Sequence, residues 1–496
     1  MIISDSGTFP YLLMCDDFDF YLDTEKSTMS GFFGTISKRD CVMDVFYGTD
    51  YHSHLGTKRG GMAFFDKKKG FQRAIHSLED GYFRNKFDND IKKFVGCAGI
   101  GVISDYEAQP IVVSSHLGRF AVVTVGKIAN IDELEQESMA LRRTFSETSQ
   151  GGVNPTELVA RLIAESDDFV SGINHVFAQI KGSCSLLILT ESHIIVARDK
   201  MGRTPIVIGK NADGYAATFE TCAFPNLDYE TEYYLGPGEI VRMDANGYEQ
   251  LQKPGDKMQI CTFLWVYYGY PPSCYERINV DDTRFRCGEA LAKNDDVQAD
   301  FVGGIPDSGV GHAMGYSNAK CIPFKRPYAK YTPTWPRSFM PQNQETRDLV
   351  ARMKLITNES VVKGKRGVFL DDSIVRGTQL RDNVKQLLEG GIQEMHMRIA
   401  CPPLTYPCEY LNFSRSRSSL DLATRKAILH LEGSEDADLS AYSDPDSPKY
   451  AAMVEHIRKD LNLTSLKFQR LDDLIEAIGL PKEKLCTHCW DGTGCF

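Results

Sequence analysis

Short apolar runs broken by glycine dominate the chain between residues 30 and about 255. Examples are SGFFGTIS, CAGIGVIS, FAVVTVG, CSLLILT, HIIVARD, PIVIGK, YAATF and EIVRMD. Runs of this length and punctuation predict strands. Helical spacing lies between them in DELEQESMALRRTF and PTELVARLIAES, the second with Asn154 as N-cap and Pro155 at the first helical position. Many strands with a few interleaved helices predict sheets covered by helices.

From about 256 to 470 the pattern alternates strand and helix. ADFVGGIPDSG reads as strand then loop, GVGHAMGYSNAK as helix, GKRGVFLDDS as strand then loop, TQLRDNVKQLLEGG as helix with a glycine stop, and EMHMRIACPP as strand. This grammar predicts a parallel sheet with ligands at the strand carboxyl ends. Residues 326–347 hold four prolines and little periodicity, as a lid does. The expected segments are an acidic leader, propeptide or mis-assigned start at 1–29, a first domain at 30–255, a second at 256–470 and a cysteine-rich tail at 471–496. His52 and His54 are spaced for one face of a strand, and every histidine reads as a satisfied or solvated one.

The 496 residues are 42% hydrophobic and 25% charged, which excludes a disordered chain and a disulfide scaffold. Lys+Arg 56 against Asp+Glu 67 gives a net charge of −11, without the broad cationic surface a nucleic-acid partner needs. A local phosphate site is compatible with that balance, because backbone N–H groups build it. No run of about 18 apolar residues predicts a membrane span, and the first 29 residues do not read as a signal peptide. The expected compartment is a reducing cytoplasm, where clustered residues among the 14 cysteines read as metal ligands or buried hydrophobes.

The segment 367–380, GVFLDDSIVRGTQL, carries the chemistry. An apolar strand ends in Asp371 and Asp372, whose diverging side chains reach two polyol hydroxyls or a cation. The loop Ser373, Ile374, Val375, Arg376, Gly377, Thr378 then aims backbone N–H groups in front of a helix N-terminus, a phosphate cradle.

This run resembles the phosphoribosyl-pyrophosphate (PRPP) loop of type I phosphoribosyltransferases, and the chain from Ser30 onward resembles the amidophosphoribosyltransferase family within them. GGIPDSGVGHAMGY, CTFLWVYYGYPPS, RIACPPLTYPCEY and RDKMGRTPIVIGK are similar to that family's PIPDSG…A.GY, C-x-F-E-Y-V-Y-F-A-R-P-D-S, RI.SPP…PC.Y and RDP.G.RPLVLG segments. The resemblance implies an α/β and α+β chain: an N-terminal αββα sandwich of the N-terminal-nucleophile (Ntn) hydrolase type, then a type I phosphoribosyltransferase domain with a parallel sheet. It implies formation of 5-phosphoribosylamine from PRPP and glutamine or ammonia in purine biosynthesis. It implies Mg²⁺ held by Ser308, Asp371 and Asp372, pyrophosphate contacts from Lys330 and Arg337, nucleotides as feedback ligands, and a homo-oligomer.

In the family, the first half begins with a cysteine whose free α-amine activates its thiol. Ser30 stands there, with Gly31 and Gly34 kept. The resemblance assigns Ser30 as nucleophile, Arg59 as anchor of the glutamine carboxylate, and Gly126 and Asn130 as matched positions. Val125 replaces the oxyanion Asn, and Pro155 replaces an Asp that grips the substrate amine. A hydroxyl is a weaker nucleophile than a thiol. The glutaminase is therefore expected to be weak, altered or lost, leaving ammonia or another amine as donor. A further alternative is a regulator that binds PRPP or nucleotides without chemistry.

Cys486-x-x-Cys489 alone fits zinc, a redox pair or a cluster. Some family members carry a [4Fe–4S] cluster on four cysteines, and Cys261, Cys408, Cys486 and Cys489 occupy those places. Cys401 and Cys495 are nearby alternates.

Overall fold

The computed structural model describes residues 29–56, 58–149, 152–293, 295–330, 355–411 and 419–494. Two antiparallel sheets form the N-terminal half. One has seven strands in the order Glu230–Tyr234, Val207–Lys210, Gly214–Thr218, Gly31–Ser37, Ala98–Ser104, Arg59–Asp66, Gly70–Ser77. The other has six, in the order Tyr248–Gln252, Ile240–Met243, Ile194–Ala197, Gly182–Leu189, Gly118–Ile128, Ile111–Ser115.

Both faces of each central strand are buried, which is why these strands read as apolar runs and not as clean alternation. Phe32 and Ile36 share the core between the sheets with Val123, Val125, Leu187 and Leu189. Their neighbour Phe33 turns the other way, onto Phe224 and Tyr229. Across the second sheet, Phe120, Val122, Leu186 and Ile188 pack on Leu158, Val159 and Ile163 of the helix Pro155–Ile163. The helix Val42–Asp50 covers the first sheet through Val45 and Phe46. The layers are therefore helix, sheet, sheet, helix, as expected. Asn154 caps its helix, accepting from Thr156 N at 2.9 Å and Glu157 N at 3.2 Å, with Pro155 at the first position.

Two local expectations fail. His52 and His54 lie not on a strand but in the turn after the helix Val42–Asp50. His52 Nδ1 bonds the carbonyl of Gly48, four residues back, which is helical spacing. The helix predicted over 132–145 is Ile131–Ala140. It stops where Leu141 is solvent-exposed and Arg142 takes φ 59°, so no apolar stripe remains to hold another turn.

The C-terminal half is built on a parallel sheet ordered Phe301–Gly304, Arg366–Asp371, Glu394–Ile399, Ser465–Phe468. The helices Gly309–Lys320 and Thr378–Glu389 follow its first two strands. The helix Leu471–Ile478 packs on Val280–Lys293. The dipeptide Leu485–Cys486 then pairs in parallel with Ile260–Cys261. Among the described residues, no helix is long and apolar enough to cross a membrane.

A buried ion cluster ties this sheet to the helix layer. Arg398 Nη2 donates to Asp295 Oδ1 at 3.1 Å and Nε to Oδ2; Tyr316 OH adds a bond at 2.7 Å and Lys467 Nζ one at 3.1 Å. Burial works to raise the Asp295 carboxyl, but Arg398 and the other donors hold it well below the usual range. A depressed carboxyl contributes stability above its unfolded value, about 3.9, and loses it as pH falls toward the folded one. Asp295→Asn leaves Arg398 without its counter-charge and lowers stability by about 3–5 kcal/mol. The urea midpoint at pH 7 measures this, and the gap between variant and parent narrows below pH 4.

Candidate functional site

Two strand ends meet at the C-terminal edge of the parallel sheet. The loop after Phe301–Gly304 and the loop after Arg366–Asp371 touch because Gly309 has no side chain: a Cβ there would lie 2.4 Å from Leu370 O. Ile305 N donates to Leu370 O at 2.8 Å, locking the two loops together. The Pro306–Asp307 peptide is cis.

Asp372 is 6% exposed. Its carboxylate accepts from Ser308 Oγ, and from Ser373 Oγ at 2.5 Å. Its own N donates to Asp371 Oδ1 at 3.0 Å. Burial pushes the Asp372 carboxyl up; the two serine hydroxyls and the charge of Arg284 oppose that. Ser308 Oγ and the Asp372 carboxylate thus meet directly, with Asp371 adjacent in the chain, and all three offer the hard oxygen donors that Mg²⁺ takes.

The loop that follows is pinned from behind. Ile374 is buried in the core, and Val375 O accepts from Ala423 N at 2.8 Å. Arg376 lies 3.8 Å from Asp421. Gly377 takes φ +80° and opens the helix Thr378–Glu389 without a capping side chain. This left-handed turn costs glycine little and leaves the amide end of the helix facing the loop. Lys330, at the end of the strand Tyr328–Lys330, reaches Asp307 at 2.5 Å and so stands beside Ser308. Arg337 lies outside the described residues, as do Cys495 and residues 1–28.

Arg284 is the site residue that sequence reasoning missed. It is buried on the helix Val280–Lys293 and donates to the carbonyls of Trp265, Tyr267 and Gly269 at 2.9–3.0 Å. Burial lowers its pKa, while Asp372 is the first of the anions that act to raise it. No spacing in the chain links residues 284 and 372; helix packing does.

In the N-terminal half, Ser30 is buried at the start of the strand Gly31–Ser37. Register pairs Gly31 with Ile103, and Ser104 with Arg59. Ser30 and exposed Arg59 therefore stand at the same sheet end, flanking Ser104. Gly126 lies on the facing sheet opposite Cys184, and Val125 is buried in the core between the sheets. Asn130 spends its amide on the backbone, accepting from Lys181 N at 2.7 Å and donating to Gln179 O at 3.0 Å. His52 packs against Gly31 and is buried, its pKa lowered by desolvation to about 4. Beyond it Glu220 receives Tyr275 OH at 2.5 Å and Ser273 Oγ at 3.0 Å from the C-terminal half, and lies 3.2 Å from His54 Nε2. Burial alone would raise the Glu220 carboxyl; His54 and Tyr275 outweigh it and hold it at about 2.

Cys261, Cys408, Cys486 and Cys489 line one cavity, with Phe263 stacked on Trp490 beside it. Cys408 is brought down to about 6, first by the hydrogen bond from Cys489, against burial. That bond raises Cys489, and burial raises Cys261 and pushes Cys486 up to about 11. Among the described residues, no three His, Cys, Asp or Glu side chains converge closely enough for a single metal ion. The donor set is four thiols around an apolar space, which fits the sulfur chemistry of an iron–sulfur cluster, a group larger than one ion. Cys401 is buried but does not line this cavity.

A family profile described as a glutamine amidotransferase domain matches residues 99–224. The amidophosphoribosyltransferase of Methanocaldococcus jannaschii is 31% identical over 492 residues, covering 94% of this chain and 97% of the relative. That of Bacillus subtilis is 30% identical, covering 94% and 92%. Among solved structures, glutamine PRPP amidotransferase from B. subtilis complexed with ADP and GMP superposes with a TM-score of 0.80 at 28% identity, over 93% of this chain and 96% of that one. A second, the allosteric regulatory enzyme of purine biosynthesis, superposes with a TM-score of 0.80 at 27% identity, over 93% of this chain and 95% of that one.

Proposed function

The chain belongs to the amidophosphoribosyltransferase family, and on that premise we propose that it forms 5-phosphoribosylamine from PRPP with ammonia as the effective nitrogen donor. The observation that carries this reading is the joined pair of loops: Ser308 bonded to Asp372, and residues 373–378 leading into a helix N-terminus.

In this reading the 5-phosphate of PRPP sits in the 373–378 cradle, where backbone donors and the helix dipole stabilise it. Asp371 and Asp372 face the ribose hydroxyls, and with Ser308 they hold Mg²⁺. Magnesium, when bound, offsets the charge of the pyrophosphate. Lys330 approaches the leaving pyrophosphate by exchanging its partner Asp307, and Arg337 is assigned beside it. As the C1–O bond to pyrophosphate breaks, positive charge develops on the sugar and the ammonia nitrogen closes on C1. The side chains hold geometry and exclude water; no residue need transfer a proton in the bond-breaking step.

Residues 30–255 are assigned to the amidotransferase-like domain and 256–470 to the phosphoribosyltransferase domain. Ser30, Arg59 and Gly126 keep the outline of a glutamine site whose oxyanion donor and amine grip are replaced by Val125 and Pro155. Purine nucleotides are assigned as feedback ligands, a homo-oligomer as the assembly and the cytoplasm as the compartment. Purified protein given Mg–PRPP and ammonium should release pyrophosphate. Absence of turnover together with absence of PRPP binding by calorimetry would overturn the assignment.

The four cysteines are assigned to a [4Fe–4S] cluster with a structural role. Anaerobically purified protein is expected to be brown, with iron and sulfide in equal amounts. Cys486→Ser is expected to lose both and to unfold at lower temperature. A colourless, iron-free preparation would count against the cluster.

A further inference from the structure

The wall of the cysteine cavity includes a cation from the N-terminal half. Arg203 is 1% exposed and lies in the turn between the strands Ile194–Ala197 and Val207–Lys210. Its carbonyl accepts from Cys261 N at 3.1 Å, and its side chain lines the cavity together with Cys486. The guanidinium also stacks over Tyr410, 3.8 Å from the ring centroid, and donates to Gln259 Oε1 at 3.3 Å. One residue therefore holds Cys261 through its main chain and places its charge in the wall of the cavity that all four cysteines line. The stack fixes the plane of its charge. A second cation stands behind a third cysteine: Lys127, on the strand Gly118–Ile128, donates to Cys408 O at 3.3 Å.

A cluster bound by four thiolates carries net negative charge. Buried among Phe263, Leu411 and Trp490, that charge is costly unless a cation offsets it. A cation beside the ligand sulfurs also favours the reduced, more negative state, because charge and hydrogen bonds at the sulfurs set the potential.

We propose that Arg203, supported by Lys127, is the counter-cation of the four-cysteine centre: it raises the centre's reduction potential, slows loss of its iron, and ties the N-terminal half to it. This rests on the assignment of the cavity to an iron–sulfur cluster, and the test separates the two. Full-length protein is purified anaerobically as wild type, Arg203→Met, Arg203→Lys and Lys127→Met. Iron and sulfide are assayed first, then each sample is titrated with dithionite in the presence of redox dyes. Release of iron to a chelator is timed in parallel.

The expected result is a cluster in all four. Arg203→Met should titrate at a more negative potential than wild type and release iron about tenfold faster or more. Lys127→Met should shift the same way by less, and Arg203→Lys should stay near wild type. If Arg203→Met does not accumulate as folded protein, Lys127→Met decides: a more negative potential supports the proposal and an unchanged one overturns it. Wild-type potential and release rate in both charge-removing variants, with clusters intact, would overturn the role of Arg203 while leaving the cluster standing. Iron-free wild type would remove the cluster assignment itself, and this proposal with it.

Discussion

Asp372→Asn lowers pyrophosphate release from Mg–PRPP by about 10²–10³-fold, the usual cost of removing one preorganised electrostatic group. The carboxylate accepts from Ser308 Oγ and Ser373 Oγ in a pocket that excludes water. An amide keeps the shape but removes the charge and offers one acceptor where two were used. The cation then has a weaker site, and the departing pyrophosphate is less well neutralised. Arg284 is left facing a neutral group, so part of the loss should be reversed by high magnesium and part should not. Initial rates over a magnesium series resolve the two parts. Asp296→Asn, an exposed carboxylate away from both loops, should leave the rate unchanged. An Asp372→Asn enzyme within threefold of wild type would remove the basis of the assigned site.

Glutamine supports the 496-residue chain at least about 10²-fold less well than ammonium, measured as glutamate release against ammonium-driven pyrophosphate release. Three observations contribute. In the 496-residue chain Ser30 follows Met29, so its nitrogen is an amide and cannot act as the base an Ntn nucleophile requires unless residues 1–29 are removed. Val125 is packed among apolar residues between the sheets and presents no donor to an oxyanion. Pro155 opens a helix already capped by Asn154, and the carboxylate in its first turn, Glu157, is occupied by Ser146 N at 2.9 Å and Glu147 N at 2.7 Å. Because the losses are separate, Ser30→Cys should not restore glutaminase. Glutamate release at the ammonium rate, in either protein, would refute this account.

The two halves differed in how much of them could be read from the chain. Strand placement was legible because apolar runs such as 98–104 and 182–189 are buried on both faces, and glycine or polar turns bound them. The strand–loop–helix at 366–389 was legible because one contiguous stretch carries the strand end, both Asp residues and the helix start. Four cysteines at separated positions line one cavity. What stayed hidden depends on packing between distant segments. The charge of Arg284 acts on Asp372 only because the helix Val280–Lys293 packs on Gly309–Lys320, bringing distant segments near one another. Arg203 was overlooked because the family segment it resembles places its arginine one position later, where this chain has Thr204. His52 was misplaced because alternate spacing fits a turn as well as a strand.

The short parallel ladder between Ile260–Cys261 and Leu485–Cys486 has a consequence for biosynthesis. Its two sides are more than two hundred residues apart, so the ribosome must make nearly the entire second half before the first side finds its partner. The N-terminal sandwich can form while synthesis continues. The nascent phosphoribosyltransferase half waits, its Phe263 surface uncovered until Trp490 emerges. Chaperone binding should therefore concentrate on chains stalled between these two points, and release should coincide with the emergence of Trp490.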